Sequence, residues 1–112
     1  MSTEYQIILN TCPDQVSADK LAAALLDQGL AACVSIVPGI RSLYRWQGEI
    51  ESSQEQLLLI KTSRAHYNSV QRLICSQHPY ELPEIIAVPI EHGLGDYLNW
   101  IDSNLSKQND NN

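Results

Sequence analysis

The chain has 112 residues, and its 7 Lys and Arg stand against 13 Asp and Glu, a formal net charge of −6. That length suits one domain, and a 44% hydrophobic content is ordinary for a globular fold. The acidic balance argues against nucleic acid as a partner, because phosphate recognition needs a basic face.

In chain order, the apolar run Tyr5 to Asn10 reads as a first strand. Thr11-Cys12-Pro13-Asp14 breaks it and opens a helix, with Pro13 suited to a first turn and Asp14 to the positive dipole end. Val16, Leu21 and Leu25 form the helical stripe, and Gly29 is placed to end it. Leu30 to Ile36 reads as a second strand. Pro38-Gly39 then kinks the chain, since proline cannot donate to a ladder. Beyond the kink, Ile40, Ser42, Tyr44 and Trp46 alternate with Arg41, Leu43 and Arg45, and Gln47-Gly48 marks a tight turn. The return arm passes a polar stretch, Glu51 to Glu55, expected to be loose or bulged, before Leu57-Leu58-Leu59-Ile60. Thr62-Ser63 is expected to cap a second helix carrying Tyr67, Val70, Leu73 and Ile74, which stops at Gln77-His78-Pro79. Glu84 to Ile90 is the last strand, and Gly93 to Asp96 starts a third helix bearing Tyr97, Leu98, Trp100, Ile101 and Leu105.

The order is β-α-β-β-α-β with an extra C-terminal helix, an α+β chain of ferredoxin-like type. Residues 1–105 make the single domain, and 106–112 read as a disordered polar tail. Arms of roughly a dozen residues would extend on the order of 40 Å at about 3.3 Å per residue. A chain this short cannot cover such a hairpin with its own helices. Exposed edges invite pairing, so the hairpin itself predicts self-association.

The segment Met1-Ser2-Thr3-Glu4 lacks a basic region followed by an apolar core, and no apolar run approaches the roughly 20 residues of a membrane helix. No membrane partner is expected. Cys12, Cys33 and Cys75 form no Cys-x-x-Cys pair, which predicts reduced thiols in a cytoplasm.

His78, beside Pro79 just after a helix, is the best-placed metal ligand, since imidazole suits copper and zinc. Its plainer reading is a hydrogen-bonding loop histidine. His66 and His92 read as surface residues. Lys61 and Glu84 each adjoin an apolar strand run and need a partner or a polar cleft. With Tyr44, Trp46, Tyr80, Glu81, Tyr97 and Trp100 they are expected to line a cleft between subunits, either as a small-metabolite site or as plain interface. Cys33 reads as a packed small hydrophobe. No nucleophile motif or phosphate loop is present, so no catalytic residue, no enzymatic activity and no required cofactor is expected.

Leu30-Ala31-Ala32-Cys33-Val34, Pro38-Gly39-Ile40, Tyr44-x-Trp46-x-Gly48, Lys61-Thr62, His78-Pro79-Tyr80-Glu81-x-Pro83-Glu84-Ile85-Ile86 and Gly93-x-x-x-Tyr97-Leu98-x-Trp100 together resemble the CutA family of divalent-cation tolerance proteins. The resemblance implies a homotrimer similar to PII signalling proteins, with long hairpins adding strands to neighbouring subunits, and a link to copper or another divalent cation. The family's proposed copper site has a cysteine on the first strand and two adjacent histidines. Those positions here read Asn10, Gln77 and His78, so His78 alone keeps such a ligand. Cys12 is the nearby thiol that could stand in for the missing cysteine, although two residues advance a strand by about 7 Å. A trimeric sensor binding a small metabolite at the subunit cleft is the alternative function.

Overall fold

Gln47 and Gly48 both adopt left-handed backbone angles, φ 51° and 82°, in a computed structural model that describes residues 4–107. Two successive positive φ values in a two-residue loop make a type I′ turn, whose twist matches that of the strands it joins. The turn connects β2 (Cys33–Trp46) to β3 (Glu49–Ser63). Cys33 pairs with Lys61 at the base and Trp46 with Glu49 at the tip. The register shifts between Val37 and Ile40, so the expected kink at Pro38-Gly39 is a bulge. The polar stretch Glu51 to Glu55, expected to be loose, is a regular ladder instead, because the irregularity falls wholly on the opposite strand.

β1 (Tyr5–Cys12) lies antiparallel to β3, and β4 (Ile86–Pro89) lies antiparallel to β1, giving the sheet order β2-β3-β1-β4. The helices are α1 (Gln15–Asp27), α2 (Tyr67–Gln77) and α3 (Gly95–Ser103). This is the expected ferredoxin-like order. β1 continues two residues past the expected break, and Cys12 still pairs with Gln56. Proline need only follow the strand, not end it at Asn10. β1 stops there, so among the described strands the hairpin beyond Glu55 has no third neighbour and projects. The molecule is 43 Å long against 27 and 23 Å across.

Asp14 caps α1 by accepting from the Ser17 N–H at 2.8 Å. At the other end Gly29 sits at φ 68°, and Leu30 N–H donates to the Leu25 carbonyl at 2.9 Å, a Schellman ending. Thr62 and Ser63 do not cap the second helix. Thr62 Oγ1 donates to the Leu30 carbonyl at 2.7 Å, and Ser63 Oγ meets His66 Nδ1 at 2.7 Å across a 3-10 turn, Arg64–His66.

α1 and α2 cover one sheet face. Ile8, Leu58 and Ile60 from the sheet are fully buried against Leu25, Val70 and Ile74 from the helices. Each such side chain contributes about 1.5–3 kcal/mol on burial. The alternate residues face the other way. By register, Val37 and Leu57, then Leu59, Leu9 and Ile86, then Ile7 and Val88, form apolar rows on this second face. Ile86 and Val88 remain 52% and 47% exposed, so this face is incompletely covered within one chain.

His66, expected at the surface, is buried. Its Nε2–H donates to the Ser106 carbonyl at 2.8 Å, and the Ser106 N–H donates to the Gly29 carbonyl at 2.8 Å. Ser106 is therefore fastened rather than part of a loose tail. The remainder of that expected tail, 108–112, lies outside the described residues.

Candidate functional site

The two metal candidates meet. β1 carries Asn10 and Cys12 to the helix-covered face, both at zero exposure, and the end of α2 delivers His78 beside them. Cys12 Sγ lies 3.8 Å from His78 Nε2 and donates to Asn10 Oδ1 at 3.4 Å. Residues i and i+2 share a face of the strand, so the Asn10 and Cys12 side chains meet despite the advance of about 7 Å between them. Asn10 Nδ2 in turn donates to the Glu84 carbonyl at 2.9 Å, tying β1 to the segment before β4.

Both ring nitrogens of His78 are engaged. Nε2–H donates to the Thr11 carbonyl at 2.7 Å, and Nδ1 accepts from the Tyr80 N–H at 3.0 Å. A carbonyl only accepts and a backbone N–H only donates, so the ring is the neutral Nε2–H tautomer. Burial, followed by the nearby Asp14 and Glu55 carboxylates, pushes the Cys12 thiol up to about 11. Tyr80 stands 4.9 Å from the His78 ring and donates to Glu55 Oε2 at 2.6 Å. Burial, then the Glu55 carboxylate, holds the Tyr80 phenol well above its usual range.

For a cation, the donor chemistry fits: a thiol and an imidazole of soft to borderline type. Their 3.8 Å separation lies within the span of one ion's bonds, about 2.3 Å to sulfur and 2.0–2.1 Å to nitrogen. Among the described residues no group of three or more His, Cys, Asp or Glu side chains could hold a metal ion. Occupation would also displace the Cys12 proton and the His78–Thr11 hydrogen bond.

The expected cleft residues fall in separate places within one chain. Tyr44 and Trp46 are exposed on the projecting arm. Tyr97 and Trp100 stack at 5.6 Å on α3, also exposed. Glu81 and Glu84 are exposed on the loop before β4. Tyr80 belongs with His78 and Glu55. Lys61 is half-buried on the second sheet face, where Nζ donates to Ser35 Oγ at 3.2 Å and to Cys33 Sγ at 3.8 Å. Cys33 is thus a lysine's neighbour rather than a simple packed hydrophobe.

Sequence reasoning missed Asn10 as a tie, Glu55 as a buried carboxylate and Ser35 as a partner of Lys61. Glu55 carried a usable signal, since it stands almost at the start of the apolar run from Leu57. A cavity of about 900 Å³, open to solvent, lies elsewhere, near Tyr5, Ser63, His66 and Asp102. A smaller one of about 190 Å³ is lined by Cys12, Lys20, Gln77 and His78. The smaller one adjoins the thiol–imidazole pair.

The sequence profile of the family described as "CutA1 divalent ion tolerance protein" matches residues 6–104. A divalent-cation tolerance protein CutA from Thermus thermophilus is 44% identical over 99 residues, 88% of this chain and 96% of that protein. The crystal structure of CutA from Xylella fastidiosa is similar at TM-score 0.90 and 47% identity, covering 92% of this chain and 99% of that one. A structure described as the periplasmic divalent cation tolerance protein CutA from Archaeoglobus fulgidus is similar at TM-score 0.89 and 37% identity, covering 91% and 99%. With its hairpin, its sheet order and its profile match all in agreement, the chain belongs to the CutA1 divalent ion tolerance family.

Proposed function

We propose that this chain serves divalent-cation tolerance as a homotrimer that binds or signals rather than catalyses, and that copper, or a similar cation, is captured at Cys12 and His78. The observation that carries the cation reading is the convergence of the thiol and the imidazole from β1 and α2 to 3.8 Å. A bound cation would replace the Cys12 proton and require the His78 proton to move from Nε2 to Nδ1, so capture releases the thiol proton and tightens with pH. The uncovered second sheet face and the two-stranded arm support the assembly. Three free cysteines support a reducing, cytoplasmic setting. Among the described residues no helix is long and apolar enough to cross a membrane.

The test is a calorimetric titration of Cu(II), Cu(I) and Zn(II) into the wild type and into Cys12→Ser and His78→Ala, at two pH values, with mass by light scattering. Saturable binding at a fixed ratio per subunit, lost in both variants and stronger at higher pH, is the expected result. Binding that both variants retain sinks the Cys12–His78 site. A second reading, a metabolite site at a subunit cleft, is favoured by Lys61 on the uncovered face. It predicts ligand binding that Lys61→Ala removes and His78→Ala leaves unchanged.

A further inference from the structure

Three thiols sit in three different surroundings. Cys12 is sealed under the helices as a protonated thiol, and Cys75 is exposed on α2. Cys33 differs from both, because it is the cross-strand register partner of Lys61. Directly opposed residues hold their Cβ atoms about 4.5–5.5 Å apart. Here the lysine side chain folds back over its partner, with Nζ 3.8 Å from Cys33 Sγ and 3.2 Å from Ser35 Oγ. Ser35 is also 3.9 Å from the sulfur, so amine, thiol and hydroxyl form a triangle at the base of the hairpin. Apolar residues flank it on the same face, with Ile7 opposite Lys61 on β1 and Leu59 two residues before Lys61 on β3.

From this triangle we infer that Cys33 and Lys61 are a redox-responsive pair that forms a covalent sulfur–nitrogen link between β2 and β3 when the protein meets a hydroperoxide. In the first step the Cys33 sulfur attacks the peroxide, the O–O bond breaks, and Cys–SH plus ROOH becomes Cys–SOH plus ROH. The sulfur loses two electrons and the peroxide gains them. The cationic Nζ beside the sulfur favours the negative charge that the attacking sulfur carries. In the second step the Lys61 amine, in its deprotonated form, attacks that sulfur. The S–N bond forms, the S–OH bond breaks, and one water leaves with a proton from nitrogen, giving Cys–S–NH–Lys. Condensation of a sulfenic acid with a nitrogen is established cysteine chemistry, and it competes with further oxidation to sulfinic acid. One external thiol attacks the Cys33 sulfur, breaking the S–N bond to give Lys–NH2 and a mixed disulfide, and a second thiol then releases Cys–SH as the two external thiols leave oxidised to their disulfide. The pair is already aligned by the ladder, so no strand need move. Closure ties the two arms at their base and takes a positive charge off an apolar sheet face. This inference stands apart from the Cys12–His78 cation reading and uses none of its residues.

The experiment treats the full-length protein with hydrogen peroxide, quenches it, digests it without reductant and maps peptides by mass spectrometry. Wild type is compared with Cys33→Ser and with Lys61→Arg, which keeps the charge near Ser35 but lacks the amine nucleophile. The expected result is a peptide joining Cys33 to Lys61, lighter by two hydrogens than its parts, with tryptic cleavage after Lys61 lost and then regained on thiol treatment. In Lys61→Arg, Cys33 should instead advance to sulfinic acid. Sulfinic acid at Cys33 with Lys61 fully cleavable in the wild type would overturn the inference, as would an unmodified Cys33 under conditions that oxidise Cys75. Light scattering on the same samples checks that all three proteins share one assembly state.

Discussion

At the residue scale, His78 is first of all a fastener. Its ring bridges the Thr11 carbonyl on β1 and the Tyr80 N–H on the following loop. Truncation to alanine leaves both backbone groups without that partner, and buried groups so orphaned cost roughly 1–3 kcal/mol. His78→Ala should therefore lower the urea midpoint even with no cation present, and an unchanged midpoint would show that the loop holds without it. Cys12 gives a pH signature. Its value rises from 9.0 to about 11 in the folded chain, so folding favours the protonated thiol. That stability is fully present below pH 9 and is lost as the pH climbs from 9 toward 11. That rise sets a ceiling of roughly 2–3 kcal/mol. Alkaline titration of the unfolding free energy should show this loss in the wild type and a smaller one in Cys12→Ala. Much of this site was hidden in the sequence for a simple reason. Cys12 looked like part of a helix-opening break, and only the ladder with Gln56 keeps it in register beside Asn10. His66 was hidden too, because its partner, Ser106, arrives from 40 residues away.

At the element scale, the hairpin was legible because its signals are local: alternation, a proline at the kink and a glycine at the turn. The cross-strand pairing of Cys33 with Lys61 was not, since it depends on a two-residue loop and a bulge counted together. Gln47 occupies a left-handed position with φ 51°, which asparagine and glycine tolerate better. Gln47→Gly is expected to stabilise the turn, and Gly48→Val to destabilise it by about 1–2 kcal/mol; thermal unfolding of the two variants should move in opposite directions. Gly29 is constrained twice. Its φ is 68°, and an added Cβ would lie 3.0 Å from both the Ser106 nitrogen and Cβ. Gly29→Ala should therefore loosen the segment at Ser106 as well as the end of α1. Faster amide exchange at Ser106 and Leu30 is the readout, and unchanged exchange would mean the segment is held by His66 alone.

At the scale of the whole molecule, one chain leaves Trp46, Tyr44, Ile50, Ile86 and Val88 substantially exposed. Large apolar side chains exposed both on the arm and on β4 point to surfaces that a partner covers. Light scattering should return about three times the 12.5 kDa chain mass, and Trp46→Ala or Val88→Lys should shift the population toward smaller species on dilution. A trimer of unchanged mass and unfolding temperature in both variants would move the interface elsewhere. The same arm carries a consequence for the order of events in folding. Its strands meet across a two-residue turn and zip locally, on the order of 1–10 μs for a hairpin. β4 reaches β1 only after about seventy intervening residues are organised, and in the proposed trimer a neighbouring chain would arrive later still, at a rate set by concentration. The sticky edge is thus built first and covered last. Refolding yield should pass through an optimum with protein concentration: too dilute, and chains wait with the arm bare; too concentrated, and bare arms find each other out of register.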